Sequence, residues 1–307
     1  MPLSALEGRG GAPHIGVAVD AMDWGAREIL RAAAATGARA TIFRLAGAHF
    51  DSSVPSGLRI AGFGGGAPDA VVARAIAGGT FQAVTKRLGV LHALRELGVP
   101  VWNDARAIER CIDKSATSFL LQRAGIPTPP TWAVESAAAA RAIARRECKR
   151  GAMVLKPLFG SQGRGLRLIR DAGELPESEA MDGVFYLQRF VGVDRGGYRD
   201  LRVMVLRGRV LAAMSRHSKG WITNVKLGGR PEAFTPDAEI AELAIAAAGA
   251  VGADIAGVDV IHDPQGRALV LEVNSMPAWQ GLQKVTAFNI ADAILAALVA
   301  AARAAKP

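Results

Sequence analysis

Gly257-Val-Asp-Val-Ile261 and Leu271-Glu-Val-Asn274, joined through the turn residues Asp263-Pro-Gln-Gly266, decide how the rest of this chain is read. Both are short runs of strand-forming residues interrupted by an acid or an amide where a core strand would stay apolar. Asp259 lies between Val258 and Val260, while Glu272 and Asn274 alternate with Leu271 and Val273. Residues two apart on a strand share a face, so Glu272 and Asn274 point the same way, and a hairpin sets Asp259 opposite them. Three hard oxygen ligands on one face suit magnesium bridging nucleotide phosphates. Taken alone, the pair is equally an ordinary hairpin with its polar residues turned to solvent. Ser275-Met-Pro-Ala278 follows as a loop at a strand end, where sites often sit.

Working outward, Val154-Leu-Lys-Pro-Leu-Phe-Gly-Ser-Gln-Gly-Arg-Gly165 reads as a strand delivering Lys156 into a glycine-rich loop. Gly160, Gly163 and Gly165 let backbone N–H groups approach phosphates, and Ser161 and Gln162 add donors. Alone this is also a flexible hairpin loop. It is not a Walker A loop, because no Gly-Lys dipeptide occurs in the chain. Lys114, in Asp113-Lys114 within a helical stretch, is a compact charge for a phosphate, or a solvated helix residue. Tyr186-Leu-Gln-Arg-Phe-Val191 reads as a strand whose backbone suits an adenine edge, or as plain core. Arg202, Arg216, His217, Lys219 and Asn224 add cations and amides in a strand-rich region. The arginines offer planar forks to phosphate or carboxylate.

Around these motifs, strands and helices alternate from His14 to Trp102, which predicts a parallel α/β layer. The expected strands are His14–Val19, Ala40–Leu45, Leu58–Phe63, Asp69–Ala73 and Val99–Trp102. Helices are expected over Trp24–Thr36 and Gln82–Leu97. Ala105–Gly125 reads as mostly helical, stopped by Ile126-Pro-Thr-Pro-Pro130. A second α/β segment follows, with a helix near Ala137–Arg150 and strands at Met153–Lys156, Gly165–Ile169 and Phe185–Phe190. Next come strands at Asp200–Leu206 and Val210–Ser215 around a turn at Arg207-Gly-Arg209. A helix over Asp237–Val251 leads into the acidic pair, and an Ala-rich terminal helix closes the chain. Asn103 and Gly192–Gly197 are the candidate boundaries.

The 307 residues suffice for two or three domains, and a composition 50% hydrophobic and 21% charged excludes a disordered chain. The net charge of +9 comes from dispersed cations, with no Lys/Arg run longer than two. That argues against nucleic acid and for a cleft that binds phosphates or carboxylates. Cys111 and Cys148 lack C-x-x-C spacing, Met1–Pro13 lacks the apolar run of a signal peptide, and Ala291–Ala305 is too short and too charged to span a bilayer. A cytoplasmic location without membrane association is therefore expected. Zincin and nucleophile-elbow motifs are absent, and Gly62-Phe-Gly-Gly-Gly66 is not the dinucleotide fingerprint.

In this order, the pieces resemble the ATP-grasp superfamily, and most closely its RimK-like amino-acid ligases. The likeness runs from Asp69-Ala-Val-Val-Ala-Arg74 through Asn103, Asp113-Lys114, Ala124-Gly-Ile-Pro-Thr-Pro129, the Lys156 loop, Leu187-Gln-Arg-Phe190 and Arg199-Asp-Leu-Arg202. Trp221-Ile-Thr-Asn224, Gly228-Gly229 and the acidic pair complete it. The resemblance implies an α/β fold with an α+β lid and a C-terminal sheet. It implies an N-terminal Rossmann-like pre-ATP-grasp domain (1–103), a central ATP-grasp lid (104–192) and a C-terminal domain with the metal site (193–307). It places Lys114 and Lys156 on phosphates, and Ser161, Gln162 and Gly163 in the closing loop. Gln188, Arg189, Phe190 and Val191 form the adenine hinge, where the family usually carries an acid in place of Arg189. Asp259, Glu272 and Asn274 match ligands for two magnesium ions, with Mn2+ as an alternative.

The implied reaction joins a carboxylate to an amine at the expense of ATP through an acyl phosphate. Arg202, Arg216 and Asn224 serve the transfer, and Arg74 is a candidate contact for the acceptor carboxylate. The implied partners are an amino acid, L-glutamate above all, and a small acidic acceptor such as a tetrahydromethanopterin-type carrier. Homo-oligomers are common in the family. Rival readings are a protein-modifying glutamate ligase, an ATP-grasp kinase and a non-catalytic nucleotide-binding protein. The retained metal ligands weigh against the last.

Overall fold

The computed structural model describes residues 12–160, 163–192 and 197–305. The chain divides into two compact units, Met1–Trp102 with Ala291–Pro307, and Asn103–Ile290.

The first unit opens with β1 (His14–Val19), α1 (Trp24–Thr36) and β2 (Arg39–Phe43). The small pair β3 (His49–Phe50) and β4 (Leu58–Arg59) follows, then β5 (Ala70–Ala75), α2 (Phe81–Glu96) and β6 (Val101–Trp102). Four strands form a parallel sheet ordered β2-β1-β5-β6. Ile15, Val17, Val71 and Val72 are buried on alternate faces, the pattern of strands covered on both sides. The Asp23 carboxylate caps α1 by accepting from the Ala26 N–H, and Gly37 ends the helix at φ 70°. The strand expected over Leu58–Phe63 stops at Arg59, because Gly62, Gly64 and Gly65 adopt positive φ and turn the chain.

The second unit begins with α3 (Ala105–Ile112) and α4 (Lys114–Arg123). The single helical stretch expected here is broken at Asp113, whose ψ is 101° and whose carboxylate accepts from the Ser115 and Ala116 N–H groups. Lys114 is thus the first residue of a helix rather than an interior one. β7 (Thr131–Val134), α5 (Ala137–Glu147), β8 (Met153–Lys156), β9 (Arg167–Ile169) and β10 (Phe185–Arg189) follow. Their strands form an antiparallel sheet ordered β7-β10-β8-β9, with α5 packed on Met153, Leu155, Phe185 and Leu187. Local sequence predicts no strand at Thr131–Val134, directly after two prolines; pairing with β10 makes it one.

The rest of this unit holds β11 (Tyr198–Leu206), β12 (Arg209–Ser218), β13 (Arg230–Ala233), α6 (Ala238–Val251), β14 (Ile255–His262), β15 (Ala268–Asn274) and the short α7 (Gln280–Gln283). The strands form an antiparallel sheet ordered β13-β12-β11-β14-β15. The β11–β12 turn places Arg207 and Gly208 at φ 50° and 71°, the primed geometry that suits a two-residue hairpin. α6 buries Ala244, Ala247 and Val251 against Val203, Val258 and Val270. The other face of β11, β12 and β14 is left to carry the polar residues described below. A last helix, α8 (Ile290–Ala304), belongs from Ala291 onward to the first unit. Among the described residues, no helix is long and apolar enough to cross a membrane.

Candidate functional site

Between the two sheets of the second unit lies a cavity open to solvent. One wall is Lys156, at the end of β8, with Lys114 beside it from the first turn of α4. Lys114 Nζ donates to the carbonyls of Leu158 (3.0 Å) and Gly160 (3.1 Å). Lys156 is 8% exposed and has no hydrogen-bond or ion-pair partner among the described residues. Burial lowers the pKa of both ammonium groups, and the charge of Glu272 opposes that shift in each. A buried cation without a protein partner is costly unless an anion reaches it. Gly163 also lines the cavity, at φ 73°, and a Cβ there would press on Ile222 and Leu227 at 3.1 Å.

A second wall is the end of β10 and the residues after it, Gln188 to Val191. Arg189 and Phe190 spend their N–H groups on the carbonyls of Pro130 and Ala152, both at 2.9 Å. Val191 has no hydrogen-bond partner among the described residues. The Gln188 side-chain nitrogen is buried and has no hydrogen-bond partner among the described residues. Phe190 lies edge-on to Tyr198 and Trp221. An apolar slot with open backbone groups along one edge suits a flat heterocycle.

The floor is the acidic strand pair. Asp259 pairs with Glu272, and Gly257 with Asn274, so the three expected ligands share one sheet face. Asp259 is buried and accepts from Arg202 Nε and Nη2, the latter at 2.8 Å, and from Arg216 Nη2 at 3.0 Å. Arg216 also donates from Nε to Asp200 Oδ1 at 2.8 Å. Burial alone would raise the Asp259 carboxyl, but Arg202 and then Arg216 outweigh it and hold it well below the usual carboxylate range. For Asp200, burial prevails over the pull of Arg216, and its carboxyl is shifted upward. Asn274 donates from Nδ2 to Glu272 Oε1 (3.0 Å) and Gly257 O (3.3 Å). Offering its Oδ1 to a cation held by Glu272 requires turning that amide over.

No group of three or more His, Cys, Asp or Glu side chains suited to a metal occurs among the described residues. The donor set is instead two carboxylates and a carboxamide, the sparse oxygen set magnesium accepts when phosphates and waters complete its shell. The residues fit that ion.

The structure therefore brings Lys114, Lys156, Gly163, Gln188, Arg189, Phe190, Val191, Arg216, Asn224, Asp259 and Glu272 to one cavity. Arg202 joins it through Asp259, and Asn274 through Glu272. The Asn224 side chain accepts from the Lys226 N–H, capping a short turn over Val225–Leu227. Ser161 and Gln162 lie outside the described residues. Arg74 is in the first unit, 5% exposed, with Nη2 on Asp23 at 2.9 Å and its guanidinium against Gly25. It braces the β1–α1 turn rather than presenting a free fork. Asp200, which lines the cavity and accepts from Arg216, is the neighbour that motif reading passes over. Strand alternation places it on the face of Arg202, and that signal was available in Arg199-Asp-Leu-Arg202.

The family model of the RimK-like ATP-grasp domain matches residues 111–298. The chain is 30% identical over 321 residues to the tetrahydromethanopterin:alpha-L-glutamate ligase of Methanosarcina acetivorans, covering 92% of this chain and 97% of that one. To the enzyme of the same description from Methanocaldococcus jannaschii it is 38% identical over 223 residues, 69% and 74% of the two chains. Among solved structures it resembles the ATP-grasp ligase PsnB complexed with a minimal precursor, Mg and ADP. That likeness has a TM-score of 0.72 at 21% identity, over 94% of this chain and 98% of that one, and shows the shared fold.

Proposed function

The chain belongs to the RimK-like ATP-grasp family and is an ATP-dependent ligase that joins a carboxylate to an amine; from that premise we propose that it adds L-glutamate to a small, multiply carboxylated acceptor. A tetrahydromethanopterin-type carrier is the reference chemistry, since relatives with that activity match across most of their length. The single observation that carries the reading is the cavity itself, where Lys156, without a hydrogen-bond or ion-pair partner among the described residues, faces the carboxylates of Asp259 and Glu272 beside an apolar slot. The +9 charge favours an acidic acceptor.

In this reading the domains are 1–103, 104–192 and 193–307, and ATP lies in the cavity. Lys114 and Lys156 hold its phosphates, and the backbone from Gln188 to Val191 reads the adenine. Asp259, Glu272 and Asn274 would hold magnesium, or Mn2+ in its place, which when bound would neutralise phosphate charge. An acceptor carboxylate oxygen attacks the γ-phosphorus, the bond to the β-phosphate oxygen breaks, and ADP and an acyl phosphate result. The glutamate amine then attacks the acyl carbon, loses a proton and expels phosphate, leaving an amide. Arg216 and Arg202 stabilise the oxygens that gain charge, and Asn224 orients the carboxylate through Nδ2. Exclusion of water by the loop around Gly163 protects the acyl phosphate.

The test is ADP release screened over amino acids and acidic acceptors, with mass spectrometry of the product. An acceptor heavier by one glutamyl residue supports the proposal. An acceptor carrying phosphate without an amide overturns it, as does turnover that needs another amino acid and ignores glutamate.

A further inference from the structure

One buried carboxylate outside the cavity bears on it. Glu147 is the last residue of α5, and its side chain is 2% exposed. Arg146 Nε donates to it at 2.7 Å, Arg150 lies 3.7 Å away, and Arg189 donates through Nη2. Arg146 first, and then Arg189, hold its carboxyl below the ordinary range, so it stays ionised. The three arginines differ. Arg146 and Arg150 are 56% and 65% exposed and can turn to water, whereas Arg189 is 33% exposed with Nε buried and, among the described residues, unpaired. Glu147 is therefore the only partner of the Arg189 guanidinium among the described residues.

Arg189 faces α5 because it pairs with Met153, which lies in the core beneath that helix. Its main chain opens the Arg189–Val191 wall of the cavity, tied by N–H groups to Pro130 and Ala152. The wall is thus fastened by backbone on two sides and by one side chain from below. We propose that Glu147 is a positioning residue for the nucleotide: by clamping Arg189 it fixes the backbone edge that meets the base, and so sets nucleotide affinity without touching the ligand. The proposal rests on the nucleotide reading of the cavity. Its physical basis is the asymmetry of buried charge pairs. Removing the carboxylate strands Arg189, while removing Arg189 leaves Glu147 with two other cations, and removing both leaves nothing stranded.

The experiment is titration calorimetry of Mg-ADP with the full chain, as wild type, Glu147→Gln, Arg189→Met, the double variant, and Lys156→Met as a control on the cavity. We expect Glu147→Gln to weaken ADP about tenfold, equivalent to about 1.4 kcal/mol. Arg189→Met should weaken it about threefold, and the double variant should bind no more weakly than Arg189→Met. That rescue separates positioning from a general loosening of α5, which the second substitution would not repair. Glu147→Gln binding within twofold of wild type, or a double variant as weak as Glu147→Gln, overturns the proposal. If Glu147→Gln does not fold, Arg189→Met decides, and binding equal to wild type overturns it. If Lys156→Met also binds as wild type, the cavity assignment fails first and the proposal falls with it.

Discussion

Replacing Asp259 by Asn removes one charge from a buried network while keeping its shape. In the wild type Asp259 neutralises Arg202 through two hydrogen bonds and shares Arg216 with Asp200. The variant leaves Arg216 paired to Asp200 but strips Arg202 of its ionic partner. Breaking a buried pair from one side costs roughly 3–5 kcal/mol. With only one of the two arginines stranded, and that one 9% exposed beside an open cavity, the lower end applies, about 3 kcal/mol. In a unit of this size each kcal/mol moves the melting temperature by roughly 2–4 °C, so a fall of about 6–12 °C is expected at pH 7.

The pH dependence supplies a second reading. Because the folded-state pKa of Asp259 is depressed below its unfolded value of about 3.9, its contribution is complete above that value and is lost as pH falls toward the folded pKa. The wild type should therefore lose more stability than Asp259→Asn between pH 6 and pH 3, and the two melting curves should converge. Thermal unfolding of both proteins across that range measures it. Equal melting temperatures at pH 7, or a constant gap down to pH 3, would refute the reasoning. Ligase activity of the variant should fall by at least about 10²-fold, since Asp259 also serves as a proposed metal ligand.

Asn103→Ala removes three hydrogen bonds, to Ile255 N–H, Ile255 O and Ser275 O, that pin the ends of β14 and β15 together. A stability loss of about 2–3 kcal/mol is expected by urea titration. Lys156→Met should do the reverse, raising the melting temperature of the nucleotide-free protein by a few degrees, roughly the effect of removing a poorly compensated buried charge, while weakening ADP binding at least about tenfold. Its stabilising effect should shrink as pH rises, because the folded pKa of Lys156 lies below its unfolded value and the wild type gains stability as that ammonium deprotonates. Gly229→Ala would place a Cβ 1.9 Å from the Thr223 carbonyl oxygen and must displace the loop carrying Asn224. Turnover should drop about tenfold or more with the melting temperature shifted by only a few degrees.

Much of the molecule was legible in local sequence. The parallel layer, the β11–β12 turn and the caps at Asp23 and Asp237 follow from periodicity and from residues whose backbone preferences are strong. The break at Asp113 was written there too, as an Asp followed by the start of a helix, but apolar periodicity on both sides masks it. β7 and β13 carry no such signal, since each is made a strand by the partner it pairs with.

The chemistry divides the same way. The acids and amide on alternate positions of β14 and β15 had to share a face, because alternation is a property of any strand, so Asp259, Glu272 and Asn274 were readable in sequence alone. That Asp259 is held by Arg202 and Arg216, that Asp200 steadies Arg216, that Arg74 is spent on Asp23, and that Glu147 clamps Arg189, only the tertiary structure decided. These partners are 16 to 57 residues apart in sequence. Which charge meets which depends on sheet order and helix packing, long-range contacts that no local preference encodes.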